Sequence, residues 1–199
     1  MQKVIILCLC FEQAVHAQQD SISKTNPFKP SKYKLEFGAE YLWSVEDDRE
    51  IQTMSFNAVI GKEFFKKIHL SPYGGITATY AWGNIIQLND NFQEVKYDNA
   101  AFGIGPVFMV RFEPLVYRGF SLGVDASGGI IFYTEDFPAG GDFYNFMWRI
   151  GPTVAWRINN KHAINAGYRW MHVSNGQGLG QHNPSYAAQG ISVNFDRYF

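Results

Sequence analysis

The stretch Ile164-Asn-Ala-Gly-Tyr-Arg-Trp-Met-His-Val-Ser174 alternates between two kinds of side chain. Residues at i and i+2 of an extended strand point to the same face. One face therefore carries Ile164, Ala166, Tyr168, Trp170, His172 and Ser174. The other face carries Asn165, Gly167, Arg169, Met171 and Val173. This pattern predicts a β-strand whose apolar stripe ends in an imidazole beside a hydroxyl.

The same two-residue period recurs along most of the chain. It predicts seven further strands, at about 33–44, 52–64, 70–82, 100–112, 120–133, 144–158 and 187–199. Strands of roughly 11 to 15 residues are longer than the average soluble strand and long enough to cross a bilayer at a tilt. The predicted fold class is therefore all-β: an eight-stranded antiparallel transmembrane β-barrel of the bacterial outer membrane.

In such a barrel the apolar side chains face lipid, and the small, polar and charged ones fill the lumen. The charges expected to pair with one another inside the lumen are Glu36, Glu40, Asp125, Arg149, Arg169 and Asp196. A soluble lipocalin-like barrel with inverted faces is the alternative. Aromatic residues near strand ends, such as Trp43, Trp148 and Trp156, resemble interfacial girdles and favour the membrane. The terminal Phe199 resembles the C-terminal assembly signal of outer-membrane barrels.

The N-terminus has the features of a secretory signal peptide. Lys3 precedes an apolar run over residues 4–11, and Val15-His-Ala17 fits a small-residue cleavage site. We therefore expect residues 1–17 to be a signal peptide, 18–32 a flexible lead-in and 33–199 the barrel. Both cysteines, Cys8 and Cys10, lie in the predicted signal, so the mature chain should lack thiols.

Connections between the strands predict an orientation in the membrane. With the N-terminus in the periplasm, the loops at about 62–69, 113–119 and 159–161 are periplasmic. Those at about 46–50, 83–99, 135–142 and 176–185 are extracellular. His172 and Ser174 then lie at the outer end of the seventh strand, at the depth of the leaflet that holds lipopolysaccharide.

The His172 and Ser174 pair has the composition of a hydrolytic site. A serine hydroxyl becomes an effective nucleophile when an adjacent imidazole takes its proton, and a third group usually orients that imidazole. Polar side chains on a lipid-facing stripe carry a desolvation cost, which favours a functional role over decoration.

The segment Arg169-Trp-Met-His-Val-Ser-Asn175, a glycine-containing loop and Asn183-Pro184 together resemble the PagL-type lipid A 3-O-deacylases, also called acyloxyacyl hydrolases, of Gram-negative bacteria. The resemblance implies a serine esterase that removes an ester-linked acyl chain from lipid A of lipopolysaccharide, with Ser174 as nucleophile and His172 as general base. It further implies that Asn175 supports the oxyanion or the local turn, and that Asn183 shapes the active-site loop.

One position departs from that family. The glutamate that would orient the histidine is replaced by Ala187, and Gln189, two residues further on the same face, could bond the imidazole instead. The chain is then a Ser/His dyad enzyme. The alternative is a non-catalytic outer-membrane barrel, an adhesin or membrane-stabilising protein, with a degenerate site.

Other classes of ligand receive little support. A net charge of −1 gives no basic field for nucleic acid. His69, His162 and His182 lack paired metal-ligand spacing, and the acidic loop Glu46-Asp-Asp-Arg-Glu50 lacks the spacing of an EF-hand. We therefore expect no cofactor and no metal. The expected partners are lipopolysaccharide and the outer membrane, and the pattern leaves open whether the protein forms a homodimer.

Overall fold

The structure, a computed structural model, describes residues 33–62, 69–88, 92–176 and 184–199. Its strands are β1 (Lys34–Ser44), β2 (Arg49–Gly61), β3 (Leu70–Leu88), β4 (Glu94–Tyr117), β5 (Phe120–Tyr133), β6 (Tyr144–Arg157), β7 (His162–Ser174) and β8 (Tyr186–Tyr198). In these residues no helix is long and apolar enough to cross a membrane. The predicted signal peptide, the lead-in and Asn183 lie outside the described residues.

The strands form a closed antiparallel barrel. Each strand pairs with its neighbours in the chain, and β8 returns to pair with β1 along Lys34–Tyr198 through Ser44–Ala188. Closure pairs every strand with two neighbours in the barrel wall, which is the condition for a sheet to sit in lipid. The eight-stranded antiparallel barrel predicted from the alternation is confirmed.

The barrel has two distinct ends. The near end carries the end of β8 and the β2–β3, β4–β5 and β6–β7 connections; the far end carries the other four connections. The sequence placed a loop over 83–99, and this was wrong. β3 runs on to Leu88 and pairs with β4 from Glu94, so that the two strands form a hairpin longer than the others. The inward-facing Ile85, only 2% exposed, explains the extension, because pairing buries it.

The outer surface of the barrel carries the large apolar side chains, as the alternation predicted. On β4 the exposed residues include Phe102, Ile104, Phe108 and Phe112, and the alternate residues Gly103, Gly105, Val107, Met109 and Arg111 are buried. On β8, Ile191, Val193 and Phe195 are exposed in the same way. An apolar exterior around a polar interior is the arrangement of a membrane barrel and excludes a lipocalin-like barrel with inverted faces.

The lumen is filled by a network of ion pairs. Arg111 bonds Glu36 (Nη1 to Oε2, 2.7 Å) and Asp125 (Nε to Oδ1, 2.6 Å). Further pairs join Arg169 to Asp125 at 2.5 Å, Arg149 to Glu40 at 2.7 Å and Lys34 to Asp196 at 3.0 Å. These pairs confirm the predicted lumen charges. The cavity among them holds only about 20 Å³, room for about one water molecule, so the lumen is packed.

The far mouth of the lumen is closed by an aromatic cluster that the sequence did not reveal. Phe137, in the β5–β6 loop, is fully buried between Tyr133 and Tyr186, with ring centroids 5.2 and 6.0 Å away. The Tyr133 and Tyr186 hydroxyls lie 3.2 Å apart. Asn145 Nδ2 donates to the Phe137 carbonyl at 2.6 Å. The β5–β6 loop is therefore part of the folded core.

Candidate active site

His172 and Ser174 lie at the far end of β7, on the outer surface of the barrel. Both side chains are half-buried, while the residue between them, Val173, is fully buried inside. In the β6–β7 register, His172 stands opposite Trp148 and Ser174 opposite Phe146. The face predicted for the pair is the face on which the structure places it.

Trp148 forms one wall of this site. Its ring centroid lies 6.0 Å from that of His172, with the ring planes inclined by 31°. The Trp148 indole therefore packs beside the imidazole. The sequence identified Trp148 only as a residue of the aromatic girdle; the cross-strand register reveals its contact with His172.

Ala187 stands directly opposite His172 on the other side, in β8, and Gln189 stands opposite Trp170. The Ala187 N–H and C=O both point away from β7, because they bond Glu46 Oε2 (3.2 Å) and the Val45 N–H (3.3 Å). His172 and Ala187 therefore form a non-hydrogen-bonded pair. Such pairs have Cα atoms about 4.5 Å apart and the closest side chains in an antiparallel sheet.

The β1–β2 loop is docked against the start of β8, next to this pair. Ser44 Oγ is 3.1 Å from both the N–H and the C=O of Glu46, which fixes the backbone at that residue. Arg49 Nη1 donates to the Ser185 carbonyl and lies 3.1 Å from Ser185 Oγ. The loop thus brings the Glu46 carboxylate to the residue that faces His172.

Asn175, immediately after Ser174, points to the inside of the barrel and is 1% exposed. Its Nδ2 donates to Asp142 Oδ2 at 2.6 Å, which ties the end of β7 to the β5–β6 loop. The side chain is placed to hold the turn after Ser174, on the opposite face from the hydroxyl. Of the two supporting roles implied by the resemblance, this position suits the turn.

The structure brings together some of the predicted site residues. His172, Ser174 and Gln189 share one patch of the outer surface, with Ala187 between them; no hydrogen bond joins the imidazole to the Ser174 hydroxyl. Catalytic hydrogen bonds are often loose without substrate and tighten when it binds. Among the described residues, no group of three His, Cys, Asp or Glu side chains could hold a metal ion.

Sequence reasoning missed three residues around the pair: Trp148, which packs beside His172, Glu46, which bonds Ala187, and Asp142, which bonds Asn175. All three come from segments distant in the chain, and none lies in a motif. The one available signal for them in the sequence was an absence of acidic residues. The sequence contains no aspartate or glutamate from Phe143 to Phe195, so any carboxylate near His172 must come from elsewhere.

The protein is a closed barrel with an apolar exterior, a packed lumen and a serine–histidine pair on its outer wall. These are the features of an outer-membrane barrel whose candidate active site faces lipid. The family described as lipid A 3-O-deacylase (PagL) matches residues 54–196. The chain therefore belongs to the PagL family, whose members are lipid A deacylases of the outer membrane.

Two solved structures match this chain. Neisserial surface protein A (NspA) aligns with a TM-score of 0.51 and 13% identity, over 84% of this chain and 97% of that chain. The outer membrane protein AlkL, determined by solid-state NMR in DMPC bilayers, aligns with a TM-score of 0.34 and 9% identity, over 88% of this chain and 93% of that chain. No curated protein matches the chain. The likeness to NspA supports the barrel fold alone.

Proposed function

We propose that the protein is a serine esterase that hydrolyses an ester-linked acyl chain of lipid A. The observation that carries the proposal is the place of His172 and Ser174. They lie side by side on the lipid-facing wall, near the far rim, in a chain of a deacylase family. A substrate whose esters lie at the boundary between headgroup and acyl chains would meet the pair at that depth.

The reaction would proceed through an acyl-enzyme. Ser174 Oγ attacks the ester carbonyl carbon while His172 takes the hydroxyl proton. The tetrahedral intermediate collapses, and the sugar oxygen leaves with the proton returned by the imidazolium. Water, deprotonated by His172, then attacks the acyl-Ser174 ester and releases a free fatty acid. Each proton that His172 accepts is given back within the cycle.

The remaining predicted residues would support the site from different sides. Asn175, bonded to Asp142, would hold the backbone after the nucleophile. Gln189 lies diagonal to His172 across the β7–β8 pair and offers an uncharged amide to the imidazole. Asn183 would shape the loop before β8. Trp148 would stabilise the imidazolium formed during attack.

Mass spectrometry of lipid A from cells with and without the protein tests this proposal. Wild-type protein should remove one acyl chain, and Ser174→Ala or His172→Ala should abolish the loss. Ser127→Ala is a matched control, because Ser127 lies on the lumen side of β5 and lines the packed cavity. Intact lipid A with the wild-type protein, folded in the outer membrane, would reject the assigned substrate.

Export of the protein would depend on its N-terminal segment. We propose that residues 1–17 are removed as a signal peptide and that 18–32 lead into the barrel. Sequencing the N-terminus of protein purified from outer membranes should give Gln18 as the first residue. A homodimer has no support from the fold or the family, and we do not propose one.

A further inference from the structure

His172 would need a partner to act as a base. An imidazole that takes a proton becomes a cation, and a carboxylate bonded to its second N–H fixes the tautomer and stabilises that cation. The outer-surface neighbours of His172 are Phe146, Trp148, Trp170, Ser174, Ala187 and Gln189. None of these residues carries a charge, so the sheet around His172 supplies no carboxylate.

The sequence also excludes other sources of a carboxylate for His172. The chain has no aspartate or glutamate between Phe143 and Phe195, a range that includes β6, β7, the loop after β7 and nearly all of β8. Asp196 pairs with Lys34 at the near end of the barrel, and the C-terminus lies at that end too, so a carboxylate of the chain that meets His172 must come from an earlier segment. Among the described residues, two earlier acids bond residues at this corner of the barrel: Asp142 bonds Asn175, and Glu46 bonds Ala187.

Asp142 approaches this corner from the inner side of the barrel wall. Its Oδ2 bonds the inward-pointing Asn175, so the wall of the barrel separates it from the outward-pointing imidazole. Glu46 instead lies in the plane of the sheet, with Oε2 3.2 Å from the Ala187 nitrogen. Since neighbouring strands are about 4.8 Å apart, this carboxylate lies roughly one strand beyond the residue that faces His172.

We propose that Glu46 is the positioning residue that orients His172, reaching over the short side chain of Ala187 when substrate is bound. Ala187 opens this route, because a longer side chain at this position would stand between Glu46 and the imidazole. The docking of the β1–β2 loop through Ser44 and Arg49 holds the Glu46 backbone in place. This inference rests on the proposed Ser174/His172 chemistry and assigns its third member.

Glu46→Gln tests the charge of the side chain separately from its structural contact. Glutamine keeps an oxygen that can accept the Ala187 N–H, so the loop contact survives while the carboxylate is lost. Asp47→Asn is the matched control, because Asp47 is an exposed acid of the same loop. Two rates should be measured on folded, detergent-solubilised protein at several pH values. One is lipid A deacylation, and the other is covalent labelling of Ser174 by a fluorophosphonate.

Glu46→Gln should lower both rates about tenfold or more, and Asp47→Asn should leave them within about twofold. The acid limb of the pH profile should move to lower pH in Glu46→Gln, since the imidazolium loses its stabilising charge. Adding Ala187→Glu to Glu46→Gln should restore most of the rate. A purely structural role for Glu46 would predict neither the shift of the profile nor this rescue.

The outcomes separate the two proposals. If wild-type protein reacts and Glu46→Gln reacts equally well with the same pH profile, the role of Glu46 is refuted while the esterase stands. If Ser174 is labelled but lipid A stays intact, the substrate is wrong and the labelling rates still decide the role of Glu46. If Ser174 is neither labelled nor required for any cleavage, both proposals fail together.

Discussion

His172 and Ala187 face each other across the β7–β8 pair, with both side chains on the outer surface of the barrel. Because the hydrogen bonds of Ala187 run to the β1 side, this is the close, non-hydrogen-bonded kind of pair. A carboxylate introduced at this position would therefore lie within direct reach of the imidazole.

Ala187→Glu alone should raise the deacylation rate by roughly threefold, because a directly facing carboxylate competes with one that must reach across from Glu46. The gain should be larger, about tenfold, in a Glu46→Gln background, since the two acids serve the same imidazole. Steady-state kinetics on lipopolysaccharide in detergent would measure both gains. Equal gains in the two backgrounds would show that Glu46 and the new carboxylate act independently.

The Asn175–Asp142 bond should matter for catalysis through the backbone at Ser174. Asn175→Ala and Asp142→Ala should each lower the deacylation rate, by roughly three- to tenfold, because each frees the end of β7 from the β5–β6 loop. The double variant should be no worse than Asn175→Ala alone, since the contribution of Asp142 passes through its 2.6 Å bond to Asn175. Additive losses would mean that the two residues act separately.

Arg111 should be important for stability. It is fully buried and bonds both Glu36 and Asp125, so Arg111→Met deprives two buried carboxylates of their bonds to this guanidinium. Breaking a buried pair in this way costs about 3–5 kcal/mol. Lys96→Gln is the control, because its 3.4 Å pair with Glu50 is exposed and should contribute about 0–1 kcal/mol. Guanidinium unfolding of the refolded barrel in lipid vesicles would compare the free energies of unfolding.

Val193, midway along β8, tests the lipid-facing surface. It is 54% exposed and pairs with Ala39 and Ala166. Val193→Arg should destabilise the inserted barrel by about 2–4 kcal/mol, because the cation would lie near the bilayer midplane. Val193→Leu should be nearly neutral. Similar unfolding free energies for the two variants in vesicles would contradict the placement of this surface in lipid.

Much of this architecture could be predicted from the alternation of apolar and polar residues in the sequence. Parity fixes the face of every residue in a strand, so the outward position of Ser174 and the inward position of Arg169 both follow from the pattern. Pairing inside the lumen also follows, because charges turned away from lipid into a narrow barrel must compensate one another. The site pair was visible as two polar residues on an apolar stripe.

The contacts made by loops could not be predicted in that way. Phe137 closes the far mouth and Glu46 reaches Ala187 because of how loops fold back on the barrel, and no periodicity governs loops. The extension of β3 to Leu88 was missed for a related reason. Its last residues alternate weakly, and their pairing depends on burying Ile85 against other strands.

The packed lumen has a consequence for how any substrate reaches the protein. With its bore closed by ion pairs and by Phe137, the described part of the barrel gives a lipid no path through the lumen, so the serine–histidine pair is reached from the side. A lipid then arrives by sliding within its own leaflet, and encounters depend on its surface density and on the fluidity of the membrane around it. Stiffening the leaflet should therefore slow turnover even when the amount of enzyme and lipid stays the same.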